Sequence, residues 1–293
     1  MDRSGFEWTD VCGVRPAVMG IVNVTPDSFS DGGQFLAPEA AVAHGLALVE
    51  AGADVLDVGG ESTRPGAEPV AEPEELARVL PVIQGLVAEL GSGAEPAVSI
   101  SIDTTKAGVA AAALAAGARI VNDVSAGRRD PELLDVVAEA GAGFVAMHRQ
   151  GEPATMQDEP RYDDVVAEVV AFLRERLEVA RAAGVAPGAC CVDPGIGFGK
   201  TVAHNLELLA GVPRLVAELD APVLVGTSRK RFLGALLRDV AGEPGEPGPL
   251  RRDDATLATV VWALDRGAAL VRVHDVRPAA RAVALLDALR RAA

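Results

Sequence analysis

The sequence predicts an α/β protein built as one TIM (β/α)8 barrel, and three observations carry that expectation. From about residue 17, short apolar, β-branched runs alternate with longer Ala/Leu-rich amphipathic segments, the pattern of parallel strands joined by crossover helices. The alternation can be counted eight times along the chain. No long composition shift divides the 293 residues, and a doubly wound open sheet would usually show fewer strands.

Taken in order, the candidate strands span 17–22, 55–58, 98–102, 119–121, 143–147, 189–192, 222–225 and 269–273. Helical stretches such as 74–90 and 163–183 follow them. Residues 1–16 stand outside the repeat and are expected to cap the bottom of the barrel, which occupies 17–293. The stretch 240–250, with A-G-E-P-G-E-P-G-P-L, has the Gly/Pro content of an exposed loop rather than of a linker, and no second domain is visible.

Composition narrows the function. With 49% hydrophobic and 24% charged residues the chain has enough apolar surface for one large core. No window approaches the ~18 apolar residues of a membrane span, and the first residues lack the apolar core of a secretory signal, so a cytoplasmic location is expected. A formal net charge of -15 repels nucleic acid and anionic membranes, so an anion site must be a local basic exception. The three cysteines, Cys12, Cys190 and Cys191, have neither disulfide-framework nor zinc-site spacing and read as buried or incidental thiols. Only three lysines (Lys106, Lys200, Lys230) stand against 24 arginines, and two of them fall inside or beside glycine-rich turns.

In such a barrel the chemistry sits at the carboxyl ends of the strands. Polar residues follow all eight: Asn23 to Gly33; Gly59 to Gly66; Asp103-Thr104; Asn122 to Ser125; His148; Asp193-Pro194-Gly195; Ser228-Arg229-Lys230; and Arg272 with His274. Helix caps account for some Asp, Asn, Ser and Thr residues at such places. They do not account for Arg272 and His274, which alternate with Val271 and Val273 so that both polar side chains point one way. Nor do they account for two long glycine-containing loops after strands one and two, since loops of that length usually cover a ligand.

The stretches M-G-I-V-N-V-T-P-D-S-F-S-D-G-G (19–33), G-G-E-S-T-R-P-G (59–66), D-P-G-I-G-F-G-K (193–200), S-R-K-R-F (228–232) and R-V-H-D (272–275) closely resemble the dihydropteroate synthase family. The resemblance runs from about residue 17 to the end and touches every strand terminus. It implies a pterin-binding barrel that joins 6-hydroxymethyl-7,8-dihydropterin pyrophosphate to p-aminobenzoate, releasing pyrophosphate and forming 7,8-dihydropteroate for folate. It implies sulfonamides as mimics of p-aminobenzoate, Mg2+ as cofactor and a homodimer. One departure is Ala126, where the family commonly has a second glycine; only a small local effect is expected.

A pterin offers two adjacent N–H donors, for which a carboxylate is the natural acceptor, and Asp193 fits that need. By resemblance Asp103 and Asn122 are further ring contacts, with Asp103 also placed to stabilise positive charge developing on the pterin methylene. Met147 is either a floor under the ring or a plain core residue. Phe198, with Thr63, Arg64 and Arg231, belongs by resemblance to the p-aminobenzoate site, and Lys200 reads as supportive. By resemblance Lys230 contacts the pterin and borders the second substrate, and with Asp103 it is expected to take part in catalysis. The Ser-Arg-Lys-Arg cluster before a helix concentrates positive potential and supplies the basic exception. Arg272, His274 and Thr63 are the implied pyrophosphate contacts, and Asn23 the implied Mg2+ contact. The loops after strands one and two are expected to close over the site, with Gly32, Gly33, Gly59 and Gly60 allowing tight turns.

Two other readings use part of this pattern. A methyltransferase acting on methyltetrahydrofolate shares the Asp/Asn pterin contacts but needs no pyrophosphate site, so Asn23, Arg272 and His274 speak against it. A catalytically silent pterin-binding paralogue would show decayed strand-end motifs, and these are intact.

Overall fold

The computed structural model describes residues 5–25, 38–62, 67–91, 98–151 and 155–292. After the short helix α1 (Thr9–Cys12), strands and helices alternate: β1 (Ala17–Asn23), α2 (Pro38–Glu50), β2 (Val55–Gly59), α3 (Glu72–Leu90), β3 (Ser99–Asp103), α4 (Ala107–Ala115), β4 (Ile120–Asp123) and α5 (Glu132–Ala140). The second half continues with β5 (Gly143–Met147), α6 (Val165–Ala182), β6 (Cys190–Asp193), α7 (Val202–Ala210), α8 (Val212–Glu218), β7 (Leu224–Val225), α9 (Arg231–Asp239), α10 (Asp253–Asp265), β8 (Leu270–Val273) and α11 (Val276–Ala292). All pairings are parallel, in the order β6-β5-β4-β3-β2-β1-β8-β7, and the bridge between Val192 and Val223 closes the ring. The eightfold alternation therefore folds as the expected barrel.

Burial explains the composition of the strands. Nearly every strand residue is buried, because one face lines the barrel and the other meets helices, so the runs read as apolar throughout. Helix α3 shows the complementary pattern, burying Val79, Val82, Ile83 and Leu86 on one stripe. At the amino end of the barrel, the Phe6 amide donates to Gly141 O (2.9 Å) and the Trp8 indole to Ala189 O (2.8 Å), just before β5 and β6.

Several strands end one or two residues later than the sequence suggests. Gly59, Asp103, the pair Asn122-Asp123 and Asp193 close their strands rather than open loops, because the ladders Gly59↔Asp103, Asp103↔Asn122, Asp123↔Ala146 and Met147↔Asp193 continue to them. Strand β7 is shorter than the predicted 222–225, and its first two residues contribute a bridge and a carbonyl to Val192. Cys190 and Cys191 are buried in β6 with free thiols.

Candidate active site

Register decides which side chains meet. Residues directly opposite in a parallel ladder share a face, and alternate residues return to it. One row therefore runs Asn23–Gly59–Asp103–Asn122 across β1 to β4 and continues to Val145 and Cys191 on β5 and β6; Met147 and Asp193 pair two residues further along those strands, on the same face. One layer deeper lies the row Ile21–Asp57–Ser101–Ile120. Arg272 enters from β8, opposite Met19. Period-two geometry thus gathers the predicted pterin residues on one face at the carboxyl end.

The centre of this face is a charge network. The Arg272 guanidinium donates through Nε to Asp57 Oδ2 (2.6 Å) and through Nη2 to Asp103 Oδ2 (2.8 Å). Asn122 Nδ2 donates to the same Asp57 oxygen at 2.9 Å. Asp57 is wholly buried, and among the described residues neither its other carboxylate oxygen nor the Ser101 hydroxyl in the same row has a hydrogen-bond partner. Burial lifts the Asp103 carboxyl to about 7; Arg272 opposes that shift and Asp57 reinforces it. Sequence reasoning missed Asp57. Its signal was a carboxylate inside the apolar run V-L-D-V-G, two residues before Gly59 and hence on the same face.

Asp193 and Lys230 form the second pole. Burial raises the Asp193 carboxyl, against the attraction of Lys230. Burial lowers the Lys230 ammonium to about 8, and Asp193 counters it. Both groups flank Gly226, where a Cβ would stand 3.8 Å from Lys230 Nζ and 3.9 Å from Asp193 Oδ2. Lys230 also donates to Ile196 O and sits 4.8 Å from the centroid of the half-buried Phe198 ring.

The three cations of Ser228-Arg229-Lys230-Arg231 diverge. Arg229 adopts a left-handed backbone (φ 59) and forms a two-point pair with Asp253 (2.8 and 3.0 Å). Arg252 fixes this turn by donating to Arg229 O at 3.0 Å. Lys230 turns inward, whereas Arg231 is 88% exposed, with Nε 3.5 Å from Glu246. The structure therefore does not bring Arg231 to the cluster, and the expected pooling of three positive charges reduces to one inward lysine. Ser228 Oγ bonds His274 Nδ1 (2.9 Å) and accepts from the His274 amide (3.1 Å), holding that residue beside the turn.

Two glycines of the β6 loop have a steric reason. Gly195 (φ 66) leaves no room for a Cβ, which would lie 1.8 Å from His148 O; at Gly199 (φ 62) it would lie 2.3 Å from Gln150 O. Around Asp123, Ser125 N donates to Oδ1 at 2.7 Å and Gly127 N to Oδ2 at 2.5 Å. Ala126 in that turn has φ 54, a conformation costing an L-residue about 1–2 kcal/mol, and its carbonyl accepts from Arg176 Nε at 2.8 Å.

Thr63, Arg64, Gly32 and Gly33 lie outside the described residues. Asn23 ends β1, half-buried beside Gly59. Among the described residues no cluster of three His, Cys, Asp or Glu could cage a metal. A neutral amide oxygen instead suits Mg2+ that takes most of its ligands from phosphate and water.

Similarity searches agree with this geometry. The family described as "Pterin binding enzyme" matches residues 19–274. Dihydropteroate synthase of Mycobacterium leprae is 49% identical over 272 residues, covering 92% of each chain. The structure of Xanthomonas albilineans dihydropteroate synthase with 4-aminobenzoic acid superposes with a TM-score of 0.84 at 50% identity, covering 96% of this chain and 97% of that one. The same enzyme in complex with 7,8-dihydropteroate gives a TM-score of 0.81 at 46% identity, covering 96% and 98%. With barrel, strand-end rows and overall identity in agreement, the chain belongs to the dihydropteroate synthase family of pterin-binding enzymes.

Proposed function

We infer that the protein is a transferase that condenses 6-hydroxymethyl-7,8-dihydropterin pyrophosphate with p-aminobenzoate, giving 7,8-dihydropteroate and pyrophosphate. The observation that carries this reading is the one barrel face shared by Asp103, Asn122, Met147 and Asp193, on which Arg272 bonds Asp103. Two buried carboxylates and an amide suit a ring edge rich in N–H donors, and a cation at the same face suits the anionic leaving group.

In this reading Asp193 accepts the paired ring donors, Asn122 and Asp103 hold the rest of the ring, and Met147 underlies it. Lys230 borders both substrates. Phe198, Thr63 and Arg64 form the p-aminobenzoate site; Arg231 would join them only by leaving Glu246. Arg272, His274 and Thr63 take the pyrophosphate, and Asn23 offers its amide oxygen to Mg2+. When bound, Mg2+ neutralises charge on the departing pyrophosphate. The C–O bond at the pterin methylene breaks with its electron pair going to pyrophosphate; the arylamine nitrogen then bonds to that carbon and loses a proton. Ionised Asp103 stabilises the positive charge that appears in between. No residue need act as a covalent nucleophile.

A homodimer is supported by exposed Leu206, Val216, Val261 and Trp262 on the adjoining helices α7, α8 and α10. No described helix is long and apolar enough to cross a membrane. The cytoplasm is the expected compartment for a pyrophosphorylated pterin made inside the cell. Mass spectrometry separates this function from methyl transfer: 7,8-dihydropteroate should form from the two named substrates, and no methyl group should leave methyltetrahydrofolate. The reverse outcome would make the protein a methyltransferase.

A further inference from the structure

Loop 195–199, which carries Phe198, has every carbonyl occupied. Gly195 O accepts from the Phe198 amide (3.1 Å), Ile196 O from Lys230, Gly197 O from Gln157 Nε2 (2.6 Å), Phe198 O from Lys200 Nζ (3.0 Å) and Gly199 O from Tyr162 Oη (2.9 Å). Two amides are also tied, Gly195 N to Asp193 Oδ1 and Gly197 N to Asn205 Oδ1, each at 2.7 Å. A glycine-rich segment that would otherwise sample many conformations is thereby held in one.

Lys200 is the unusual member of this collar. It is 3% exposed, an uncommon setting for a lysine, and its ammonium is 3.0 Å from His148 Nδ1. Burial lowers the Lys200 ammonium to about 7, against the attraction of Asp193, and its Nζ reaches both His148 Nδ1 and Phe198 O; while protonated it only donates, so His148 Nδ1 accepts and the ring is neutral, its pKa pushed down to about 2 by burial first and then by Lys200. His148 is anchored in turn, its amide on Asp193 O (2.9 Å) and its ring edge-on to Phe172 (4.8 Å between centroids). A continuous path therefore runs from the end of β5 through His148 and Lys200 to the backbone of Phe198.

We propose that Lys200 is a positioning residue for the second substrate: by clamping Phe198 O to His148, it fixes the Phe198 ring as a rigid wall for the aromatic amine. This rests on the assignment of Phe198 to the p-aminobenzoate site. Lys200 acts through Phe198 and touches neither substrate. A wall held in advance lowers the ordering cost of binding, so its loss falls on KM for the amine rather than on kcat or on the pterin.

The test is a double-mutant cycle on Lys200→Met and Phe198→Ala, with steady-state kinetics at saturating pterin pyrophosphate and calorimetry of pterin pyrophosphate alone. Lys200→Met should raise KM for p-aminobenzoate about tenfold, the equivalent of one hydrogen bond, with kcat and pterin affinity within about twofold of wild type. Lys200→Gln, which keeps an N–H donor, should recover part of the loss and serves as the deciding variant if Lys200→Met does not fold. The double variant should be no worse than Phe198→Ala alone. An unchanged KM, additive effects, or an equal loss of pterin affinity would overturn the proposal. If Phe198→Ala itself leaves KM unchanged, the pocket assignment falls and the proposal with it; if Phe198→Ala raises KM while neither Lys200 variant does, the proposal alone falls.

Discussion

Arg272 on β8 and Asp57 on β2 meet at 2.6 Å with only β1 between their strands, 215 residues apart in sequence, and the same guanidinium reaches Asp103 at 2.8 Å. One cation thus separates two buried carboxylates, and its removal would leave them facing each other. Arg272→Ala should cost about 3 kcal/mol near neutral pH, since breaking a buried pair strands charge. A carboxyl whose folded pKa lies above its unfolded value adds stability at low pH that is lost as pH climbs through the folded value. Without Arg272, Asp103 rises further above its ordinary value, so the gap in melting temperature between variant and wild type should stay constant up to about pH 6 and widen above about pH 7, where Asp103 is ionised in the wild type and still protonated in the variant. A gap that stays constant through about pH 8 would show that Asp103 does not sense the arginine. Calorimetry should also show pterin pyrophosphate losing more affinity than pterin lacking phosphates, which loses only what the disturbed Asp103 contributes to holding the ring.

The two site carboxylates should separate kinetically. Asp193→Asn should chiefly weaken pterin affinity, because an amide cannot accept both ring N–H donors. Asp103→Asn should slow the chemical step: a loss of about 2.7 kcal/mol of transition-state stabilisation lowers the single-turnover rate roughly a hundredfold. Rapid quench on both variants decides this, and an unchanged rate for Asp103→Asn would leave it as a ring contact only.

Activity should follow a bell in pH. Asp103 acts ionised, so kcat/KM should rise as pH climbs through about 7. Lys230 acts protonated, so kcat/KM should fall above about 8. Lys230→Arg, whose charge persists, should lose the alkaline limb in a pH–rate series. A limb that persists in that variant belongs to another group.

Gly195→Ala should destabilise the fold by more than about 3 kcal/mol, since φ 66 disfavours a side chain and the His148 carbonyl stands 1.8 Å from the new Cβ. Gly248→Ala, with φ -64 and open space around it, should change stability by less than about 0.5 kcal/mol. Thermal melts of the two variants compare steric exclusion with mere glycine content.

What the sequence disclosed follows from period. Alternation of apolar runs and helices revealed the barrel, and the alternation of Arg272 and His274 with valines placed a polar pair at the end of β8. Strand ends shifted by a residue or two because polar residues continue the ladder when their partners do, as Asp103 does between Gly59 and Asn122. Asp57 was passed over because one carboxylate in an apolar run gives no hint of Arg272. The divergence of Arg229, Lys230 and Arg231 was hidden for a different reason: sequence counts charges, whereas the left-handed turn at Arg229 sets their directions. The Lys200–His148 contact joins residues 52 apart and exists only once β5 and β6 are neighbours.

The most direct measurement is pyrophosphate release by the purified protein with Mg2+ and both substrates, repeated with each substrate omitted and with Mg2+ chelated. The account predicts release only in the complete mixture, one pyrophosphate for each 7,8-dihydropteroate formed. Equal release without p-aminobenzoate would make the protein a hydrolase of the pterin pyrophosphate, and no release in the complete mixture would contradict transferase activity altogether.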